Sequence, residues 1–427
     1  MPTHSYCRVT ELLRTLESFA SACGEPALIE PGLAPLRLLP GQHEWTLAGG
    51  RVLIEAWDED QRLTRRIRAI RQQRPGRLTL EVEHFGKRTG TLELVDQARP
   101  AAVEPARRAA RLALRQRFGR FLARQFPGWT VDGLSTEADL EHSLSPAYPR
   151  ALLRRGAAAW AALAAPDDLI AADPALTFGL IWFDYLRVRE QHRLRLEGLC
   201  LLLPHGKAVT TCLRVRWLNP HALQLALFTR GPRHDDWEEP LDAAQHGNLD
   251  TRIEPAAQAA LPRYRPPGQP EARLEARLEA LVRADPAAFD AALHPAPVYG
   301  QVPALAGGER GVIDLLAATR AGRLTVIELK ASADLHLPLQ ALDYWLRVRW
   351  HHAAGDFAAR GYFPSLALDP APPRLLLIAP ALQFHPTTET ILRYFNPAIE
   401  VTRIGLAVEW QKDLRVMMRL EAAHAPA

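Results

Sequence analysis

The sequence predicts a mixed α/β protein with more than one folded unit. Its 427 residues exceed the usual size of one domain, and 48% hydrophobic with 23% charged residues is typical of a chain that buries a core. In the first 100 residues, short apolar runs alternate with polar residues as in β-strands, whereas helical and strand patterns follow one another in the last 160. We therefore predict β-rich and helical blocks followed by a C-terminal α/β unit.

Changes of pattern divide the chain into five segments. Hairpin signals predict a β-rich N-terminal domain over 1–100. Next come an alanine-, leucine- and arginine-rich stretch that predicts helix, a return of β alternation, and a proline-containing stretch with weak periodicity. The predicted segments are a helical segment over 101–175, a second β block over 176–232, a linker over 233–268 and a C-terminal domain over 269–427. No segment repeats at a fixed period.

Several classes of protein lack their signatures here. No apolar run reaches the eighteen residues that a membrane-spanning helix needs, and the first thirty residues have no basic region followed by an apolar one, as a secretory signal would. We therefore expect a cytoplasmic protein without a membrane partner. Walker, GxGxxG, HExxH and GxSxG motifs are absent, and the four cysteines form no CxxC pair.

Positive charge is concentrated in one part of the chain. The formal net charge is +4, yet eighteen basic and nine acidic residues lie between Arg51 and Gln125. Such a concentration suits a surface that binds the phosphates of nucleic acid, and it also suits a solvated surface without a partner. Both interpretations stay open on charge alone. Only four of the 52 basic residues are lysines, which makes each lysine informative.

Charged residues interrupt two predicted strands of the C-terminal domain. The predicted elements are a helix over 271–283, strands over 298–305, 311–318 and 323–330 with turns at Gly307-Gly308 and Ala321-Gly322, and a helix over 337–350. Asp314 lies among Val, Ile and Leu in the second strand, where an unpaired carboxylate is costly. Glu328 and Lys330, two residues apart at the end of the third strand, share a face. Two carboxylates and one amine therefore converge from adjacent strands.

This arrangement suits a hard divalent cation. Asp314, Glu328 and the carbonyl of Leu329 offer oxygen ligands, with positions left open for water and a phosphate oxygen. Lys330 would then orient or deprotonate the attacking water, or stabilise charge on the phosphate. Because this chain uses arginine at nearly every basic position, a lysine beside a carboxylate indicates a need for a compact, deprotonatable ammonium group.

Two helices contribute further polar residues. The helix after the strands has Gln340 and Tyr344 on one face, pointing toward the strand ends. In the helix before the strands, Glu275 lies about 60° from Leu278 on a helical wheel, closer to the buried stripe than Glu279. Exposed ion pairs with neighbouring arginines are the alternative interpretation of these glutamates, and core packing is the alternative for the tyrosine.

These residues, in this order, resemble the PD-(D/E)xK nuclease superfamily in its RecB-like branch, over about 270–380. The motif consists of the helix glutamate, Ile313-Asp314, Glu328-Leu329-Lys330 and Gln340-x-x-x-Tyr344. The resemblance implies a restriction-endonuclease-like αβββαβ core and an endonuclease that hydrolyses DNA with Mg2+ or Mn2+. It implies the catalytic residues Glu275, Asp314, Glu328, Lys330, Gln340 and Tyr344, with Asp314, Glu328 and Leu329 as metal ligands. The run from Glu275 to Glu279 is also similar to the mismatch and branched-DNA endonucleases of that branch.

The chain departs from the superfamily pattern in three places. Ile313 replaces the literal proline before Asp314, the loop between Asp285 and Tyr299 is long, and the segments before 270 have no such resemblance. We expect these N-terminal segments to recognise the substrate in DNA repair or defence, with RNA as the alternative substrate. A second interpretation is a catalytically silent or partner-dependent DNA- or RNA-binding protein of the same fold. The last predicted elements are a strand over 375–379, a helix over 387–395 and strands around 401–408 and 414–420. They extend the nuclease sheet or cover its edge as a homodimer contact.

Overall fold

The computed structural model describes ten stretches of the chain. Their strands form three β-sheets, which are connected and covered by helices. The described residues are 3–30, 35–48, 50–58, 62–83, 89–167, 174–231, 237–245, 251–259, 270–306 and 309–424. The predicted mixed α/β class is confirmed. Within the described residues, no helix is both long enough and apolar enough to span a membrane.

The N-terminal unit is one antiparallel sheet with a helix packed on it. Its elements are α1 (Thr3–Ala22), β1 (Pro26–Ile29), β2 (Leu36–Arg37), β3 (His43–Ala48), β4 (Arg51–Trp57), β5 (Arg62–Arg74), β6 (Arg77–Glu83) and β7 (Thr89–Asp96). The strand order is β2-β1-β7-β6-β5-β4-β3. Alternate residues of β4, namely Val52, Ile54 and Ala56, are fully buried, which is the pattern of a sheet with one covered face.

The second unit contradicts two predictions of secondary structure. Its elements are α2 (Pro100–Gln125), β8 (Thr130–Ser135), β9 (Arg150–Arg155), β10 (Ala158–Ala164), α3 (Ala175–Arg189), β11 (Arg195–Pro204), α4 (Val209–Val215), β12 (Gln224–Arg230) and β13 (Glu238–Pro240). The helical segment predicted over 101–175 is wrong beyond Gln125, because β8, β9 and β10 follow. Strand β10 is rich in alanine, yet it lies between β9 and β11 with helices on both faces, and this burial outweighs helix propensity.

The second β block, predicted over 176–232, is also wrong in part, because α3 and α4 interrupt it. Much of the linker predicted over 233–268 lies outside the described residues. The linker prediction is wrong for the described part of that segment, because β13 pairs with the second sheet and the short strand β14 (Thr251–Ile253) pairs with the third, followed by a helical turn over Ala256–Ala259.

The C-terminal unit has the elements predicted from the sequence. They are α5 (Ala256–Ala259), α6 (Pro270–Ala284), α7 (Pro286–Phe289), β15 (Tyr299–Ala306), β16 (Glu309–Ala318), β17 (Leu324–Leu329), α8 (Leu337–Ala353), α9 (Asp356–Ala359), β18 (Arg374–Pro380), a 3-10 helix (Ala381–Gln383), α10 (Thr388–Leu392), β19 (Val401–Leu406) and β20 (Val416–Glu421). The predicted strands and the two long helices lie within three residues of their observed bounds. The turn predicted at Gly307-Gly308 lies outside the described residues.

Helices cover both faces of the C-terminal sheet, whose strand order is β14-β15-β16-β17-β18-β19-β20. Leu278 and Val282 of α6 pack on one face, against Leu315 and Ile327. Helix α8 packs on the other face, where the even-numbered residues of β17, such as Val326, point. Strand β17 lies at the centre, and every residue from Leu324 to Leu329 is buried. Charged residues on this strand are therefore removed from bulk water.

Apart from the additional edge strand β14, the second and third sheets have the same topology, although no repeat was predicted. In each, a helix precedes three antiparallel strands, a helix leads to a fourth strand parallel to the third, another helix leads to a fifth parallel strand, and a sixth is antiparallel. The order β8 to β13 thus corresponds to β15 to β20. The two units differ in loop length, so the shared topology produces no fixed period in the sequence.

Substitution of Trp345 tests how much the packing between the second and third units contributes to the free energy of unfolding. Its ring is fully buried and packs edge-on against Trp217, with centroids 5.0 Å apart. Its indole Nε1 donates to the carbonyl of Pro373 at 2.7 Å. Since Trp345→Ala creates a cavity and leaves that carbonyl unpaired, we expect the free energy of unfolding to fall by about 3–5 kcal/mol.

Urea denaturation of the full chain, followed by far-UV circular dichroism, measures this loss. Trp350→Ala is the matched control, because Trp350 lies on the same helix with 44% of its surface exposed. We expect the control to cost less than about 1 kcal/mol. Equal losses in the two variants would contradict this account of the core.

Candidate active site

Strands β16 and β17 stop pairing next to the predicted site residues. The ladder between them reaches Leu315 opposite Ile327. Beyond that pair, the backbone N–H of Leu329 donates to Oδ2 of Asp314 at 3.0 Å. A side-chain carboxylate thus takes the place of a main-chain acceptor, and the strand ends hold polar groups between them.

Glu328 is the most deeply buried charged group of the site, with 1% of its side chain exposed. Its Oε1 lies 3.8 Å from Nζ of Lys330. Its Oε2 is buried and has no hydrogen-bond partner among the described residues. A buried carboxylate oxygen without a donor is costly unless a proton or a cation satisfies it. Oε2 of Glu328 is therefore the atom of the site that most requires a ligand.

Burial, together with repulsion from neighbouring carboxylates, raises the pKa values of the two strand carboxylates. Burial is the main reason that the pKa of Asp314 rises to about 6; the N–H of Leu329 and the ammonium of Lys330 oppose the rise. The pKa of Glu328 rises well above its usual range, first through burial and then through the charge of Asp314. A divalent cation between the two groups would act in the opposite direction and favour both charged forms.

Lys330 is held by carboxylates on two sides. Besides Glu328, its Nζ lies 3.6 Å from Oδ2 of Asp334, whose Oδ1 accepts the backbone N–H of His336 at 2.8 Å. Burial acts to lower the pKa of Lys330, but the charges of Glu328, Asp334 and Glu275 outweigh it, and the net shift is upward. In the metal-free protein Lys330 is therefore a cation and not a base.

The backbone carbonyl and the backbone N–H of Leu329 point to the same side of strand β17. The N–H of Lys330 donates to the carbonyl of Ile378 on β18 at 3.0 Å. Because the C=O and N–H of one trans peptide point in opposite directions, the Leu329 carbonyl points away from β18 and toward β16. It is thus directed to the side of the strand on which Asp314 lies.

Helix α8 places Gln340 and Tyr344 beside the carboxylates. Nε2 of Gln340 donates to the hydroxyl of Tyr344 at 3.1 Å. Burial, and next the charge of Glu328, raise the pKa of Tyr344 to about 12, so this hydroxyl stays protonated. Since its oxygen accepts the amide of Gln340, its own proton stays available for donation.

The structure reverses the predicted burial of the two glutamates on α6. Glu279 is 7% exposed, whereas Glu275 is only partly buried. Measured from Leu278 alone, Glu275 is the glutamate closer to the buried stripe. Glu279, however, lies about 60° from Val282, the next buried residue of that stripe. Gly300 of β15 makes room for the longer side chain, because a Cβ there would lie 2.6 Å from Oε1 of Glu279.

Glu275 nevertheless lies near the site. Its charge shifts the pKa of Asp314, of Glu328 and of Lys330. The structure therefore brings together all the residues singled out from the sequence, namely Glu275, Asp314, Glu328, Leu329, Lys330, Gln340 and Tyr344. The interpretation of Tyr344 as core and its interpretation as a site residue both hold, because it is buried and also lies beside the carboxylates.

Sequence reasoning missed Asp334. It follows Lys330 by four residues in the loop before α8, and an acidic residue just after a lysine that ends a strand is a signal that could have found it. Asp334 adds a further negative group around the ammonium, beside Glu328, Glu275 and Asp314. Its backbone contact to His336 anchors it in the loop.

The ligand set predicted for a metal consists of two carboxylates and a main-chain carbonyl. The described residues include no group of three or more His, Cys, Asp or Glu side chains that could hold a metal ion. Mg2+ usually binds proteins through one or two carboxylates and keeps several waters. The unsatisfied Oε2 of Glu328 and the carboxylate of Asp314 fit that chemistry. No family model and no curated protein matches the chain.

The raised pKa of Asp314 predicts how stability depends on pH. A carboxyl group with a higher pKa in the folded state stabilises the fold fully below its unfolded pKa of 3.8, and this contribution is lost as the pH rises past about 6. We expect the metal-free protein to lose on the order of 3 kcal/mol from this group between about pH 4 and pH 7. Asp314→Asn should remove that part of the pH dependence.

Urea denaturation in EDTA over this pH range measures the difference between Asp314→Asn and the unsubstituted chain. Asp413→Asn is the control, because the side chain of Asp413 is 64% exposed. Identical pH profiles for the unsubstituted chain and Asp314→Asn would contradict the burial argument.

Proposed function

We propose that the chain is a divalent-metal-dependent nuclease that hydrolyses phosphodiester bonds of DNA at the site formed by Asp314, Glu328 and Lys330. The main support is Oε2 of Glu328, a buried carboxylate oxygen without a partner among the described residues, next to a second carboxylate with a raised pKa. Such a pair is unfavourable in isolation and becomes favourable when a divalent cation binds.

The order of elements gives independent support. Helix α6, strands β15 to β17, helix α8 and strand β18 follow the αβββαβ order that the PD-(D/E)xK resemblance implies. Asp314 lies on the second of these strands, Glu328 on the third and Lys330 directly after it. Gln340 and Tyr344 lie on helix α8, as in that motif. We therefore assign 269–427 to a restriction-endonuclease-like domain of the RecB-like branch.

Each residue has a role that follows from its position. Asp314, Glu328 and the carbonyl of Leu329 would hold Mg2+ or Mn2+. When bound, the cation supplies a Lewis acid for a phosphate oxygen and lowers the pKa of a coordinated water. Lys330 is cationic in the metal-free site, so it suits stabilisation of the negative charge on the attacked phosphate better than removal of a proton.

Tyr344 and Glu275 complete the site. The hydroxyl of Tyr344 has a proton to donate, and Gln340 orients it by donating to its oxygen. Glu275 adds negative charge near Lys330 and helps to keep that ammonium protonated. Glu275 and Gln340 thus act through other groups of the site, as positioning residues.

A polyanionic substrate agrees with the charge of the second unit. Arg108, Arg111 and Arg115 of α2, together with Ser135 and Thr136, line a surface cavity of about 490 Å³. Clustered guanidinium groups suit phosphates of a nucleic-acid backbone. Part of the excess charge seen in the sequence is neutralised, because Arg111 pairs with Glu104 and several arginines of β5 pair with glutamates of the neighbouring strands.

Cleavage of labelled single-stranded, duplex, forked and mismatched DNA tests the proposal. We expect cutting with Mg2+ or Mn2+, none in EDTA, and a rate at least about 100-fold lower for Asp314→Asn, Glu328→Gln and Lys330→Ala, since each removes charge from the reacting centre. Lys412→Ala is the matched control, because Lys412 is exposed and distant in sequence from the site.

Undiminished cleavage by Asp314→Asn would refute the assignment of the site. Selective cleavage of RNA in the same panel would change the substrate class. Binding with a steep salt dependence but no product would favour a catalytically silent DNA-binding protein of the same fold.

Metal binding can be tested without activity. A ligand that binds only the folded state stabilises it by about 2.7 kcal/mol at 100 times its Kd. We therefore expect millimolar Mn2+ to raise the Tm of the unsubstituted chain and of Glu409→Gln, an exposed control, but not of Glu328→Gln. A Tm increase that persists in Glu328→Gln would place the metal elsewhere.

A further inference from the structure

Backbone pairing aligns the second unit with the unit that contains the site. In the third sheet, the N–H of Lys330 donates to the carbonyl of Ile378 at 3.0 Å; in the second sheet, the N–H of Ala165 donates to the carbonyl of Leu202 at 2.9 Å. The fourth strands of both units end in proline two residues later, at Pro204 and at Pro380. The two sheets can therefore be compared position by position.

The three charged residues at the strand ends of the candidate site are replaced in the second unit. Arg150 corresponds to Asp314, Leu163 to Glu328, Ala165 to Lys330, Phe178 to Gln340 and Trp182 to Tyr344. Strands β9 and β10 also remain paired at this point, because Arg150 lies opposite Leu163 in their ladder. The ladder between β16 and β17 ends one residue pair earlier. The guanidinium of Arg150 lies 5.5 Å from the ring centroid of Trp182. At the strand positions that correspond to Asp314 and Glu328, the second unit thus has no carboxylate, and its strands remain paired there.

The two units contact each other reciprocally. After α4, the ring of Trp217 packs on Trp345 of α8 with centroids 5.0 Å apart, and the guanidinium of Arg349 lies 4.4 Å from the Trp217 ring centroid. After α10, the ring of Tyr394 makes the corresponding contacts with α3. They are Phe183 at 5.6 Å between centroids and the guanidinium of Arg187 at 5.8 Å from the ring centroid.

The segments that make these contacts also have similar sequences. They are Arg216-Trp217-Leu218-Asn219-Pro220 and Arg393-Tyr394-Phe395-Asn396-Pro397. They pair with one another: the N–H of Asn219 donates to the carbonyl of Tyr394 at 2.8 Å, and the N–H of Asn396 donates to the carbonyl of Trp217 at 2.9 Å. Each copy thus gives the other the contacts that it receives, as in an isologous interface between identical subunits.

We infer that residues 100–240 are an inactive copy of the site-bearing unit and occupy, within the same chain, the place of a second subunit. The inference rests on the proposed function and narrows it. The chain works as a monomer with one reaction site, and it cuts one strand of duplex DNA in each binding event, leaving a nick. The homodimer contact expected from the last strands is not needed for a complete site.

The inactive copy also contacts the loop beside Lys330. Oγ1 of Thr177 lies 3.2 Å from Nδ1 of His336, and Phe178 packs edge-on against the same imidazole with centroids 5.7 Å apart. The backbone N–H of His336 in turn donates to Asp334, the second carboxylate that holds Lys330. The copy therefore positions the loop whose carboxylate orients the ammonium.

The products from a supercoiled plasmid, together with sedimentation equilibrium, test the inference. With Mg2+ or Mn2+ we expect open-circular DNA as the first product and linear DNA only later, formed from the open circle. Lys330→Ala should give neither form. At micromolar concentration the full chain should sediment as a monomer of 47.5 kDa.

Linear DNA that forms without prior accumulation of open circle would overturn the single-cut inference, and so would a stable dimer. Absence of any cleavage would instead reject the proposed nuclease function and, with it, the nick. Sedimentation would still decide the other half of the inference in that case, because a monomer supports the built-in subunit and a dimer refutes it.

Discussion

The hydrogen bond from the N–H of Leu329 to the carboxylate of Asp314 determines the form of the candidate site. The carboxylate accepts a backbone N–H at the point where the β16–β17 ladder ends, and a charged group therefore lies between the two strands. Glu328 is then buried opposite, with one oxygen facing Lys330 and the other without a partner among the described residues. With Glu275 and Asp334 nearby, four carboxylates act on a single ammonium at the strand ends. The excess of buried negative charge is what a divalent cation would neutralise.

The second unit shows that this fold does not need those charges. It has the same strand order and the same crossover helices, yet its strands stay paired where the third sheet opens, and Arg150, Leu163 and Ala165 lie at the equivalent positions. A buried pair of carboxylates lowers stability unless it is compensated. Their presence in one copy and not in the other supports a role in binding and catalysis over a role in folding.

Much of the third sheet follows from the sequence, because its patterns are local. Alternation over two residues puts Glu328 and Lys330 on one face, and turn signals bring Asp314 to the adjacent strand, so the cluster can be predicted without tertiary information. The burial of Glu279 cannot be predicted in this way. It depends on the space above Gly300, a residue of a different element.

The second unit was harder to predict, because tertiary burial there outweighs local preference. The alanines of β10 favour helix, and the alternation of Leu213 and Val215 favours strand, yet these residues lie in a strand and in a helix, respectively. The relation between the two units is equally hidden. Only short segments such as Asn219-Pro220 and Asn396-Pro397 are similar, and the correspondence becomes visible through backbone pairing.

The most direct test of the account is anomalous diffraction from crystals of the full chain soaked in Mn2+. We expect a peak between Asp314 and Glu328, about 2 Å from their carboxylate oxygens, as is usual for an octahedral site with oxygen ligands. We expect no peak at Arg150 and Leu163, the equivalent positions of the inactive copy. A soaked crystal with no manganese between the two carboxylates would contradict the central claim that this buried pair is a metal site.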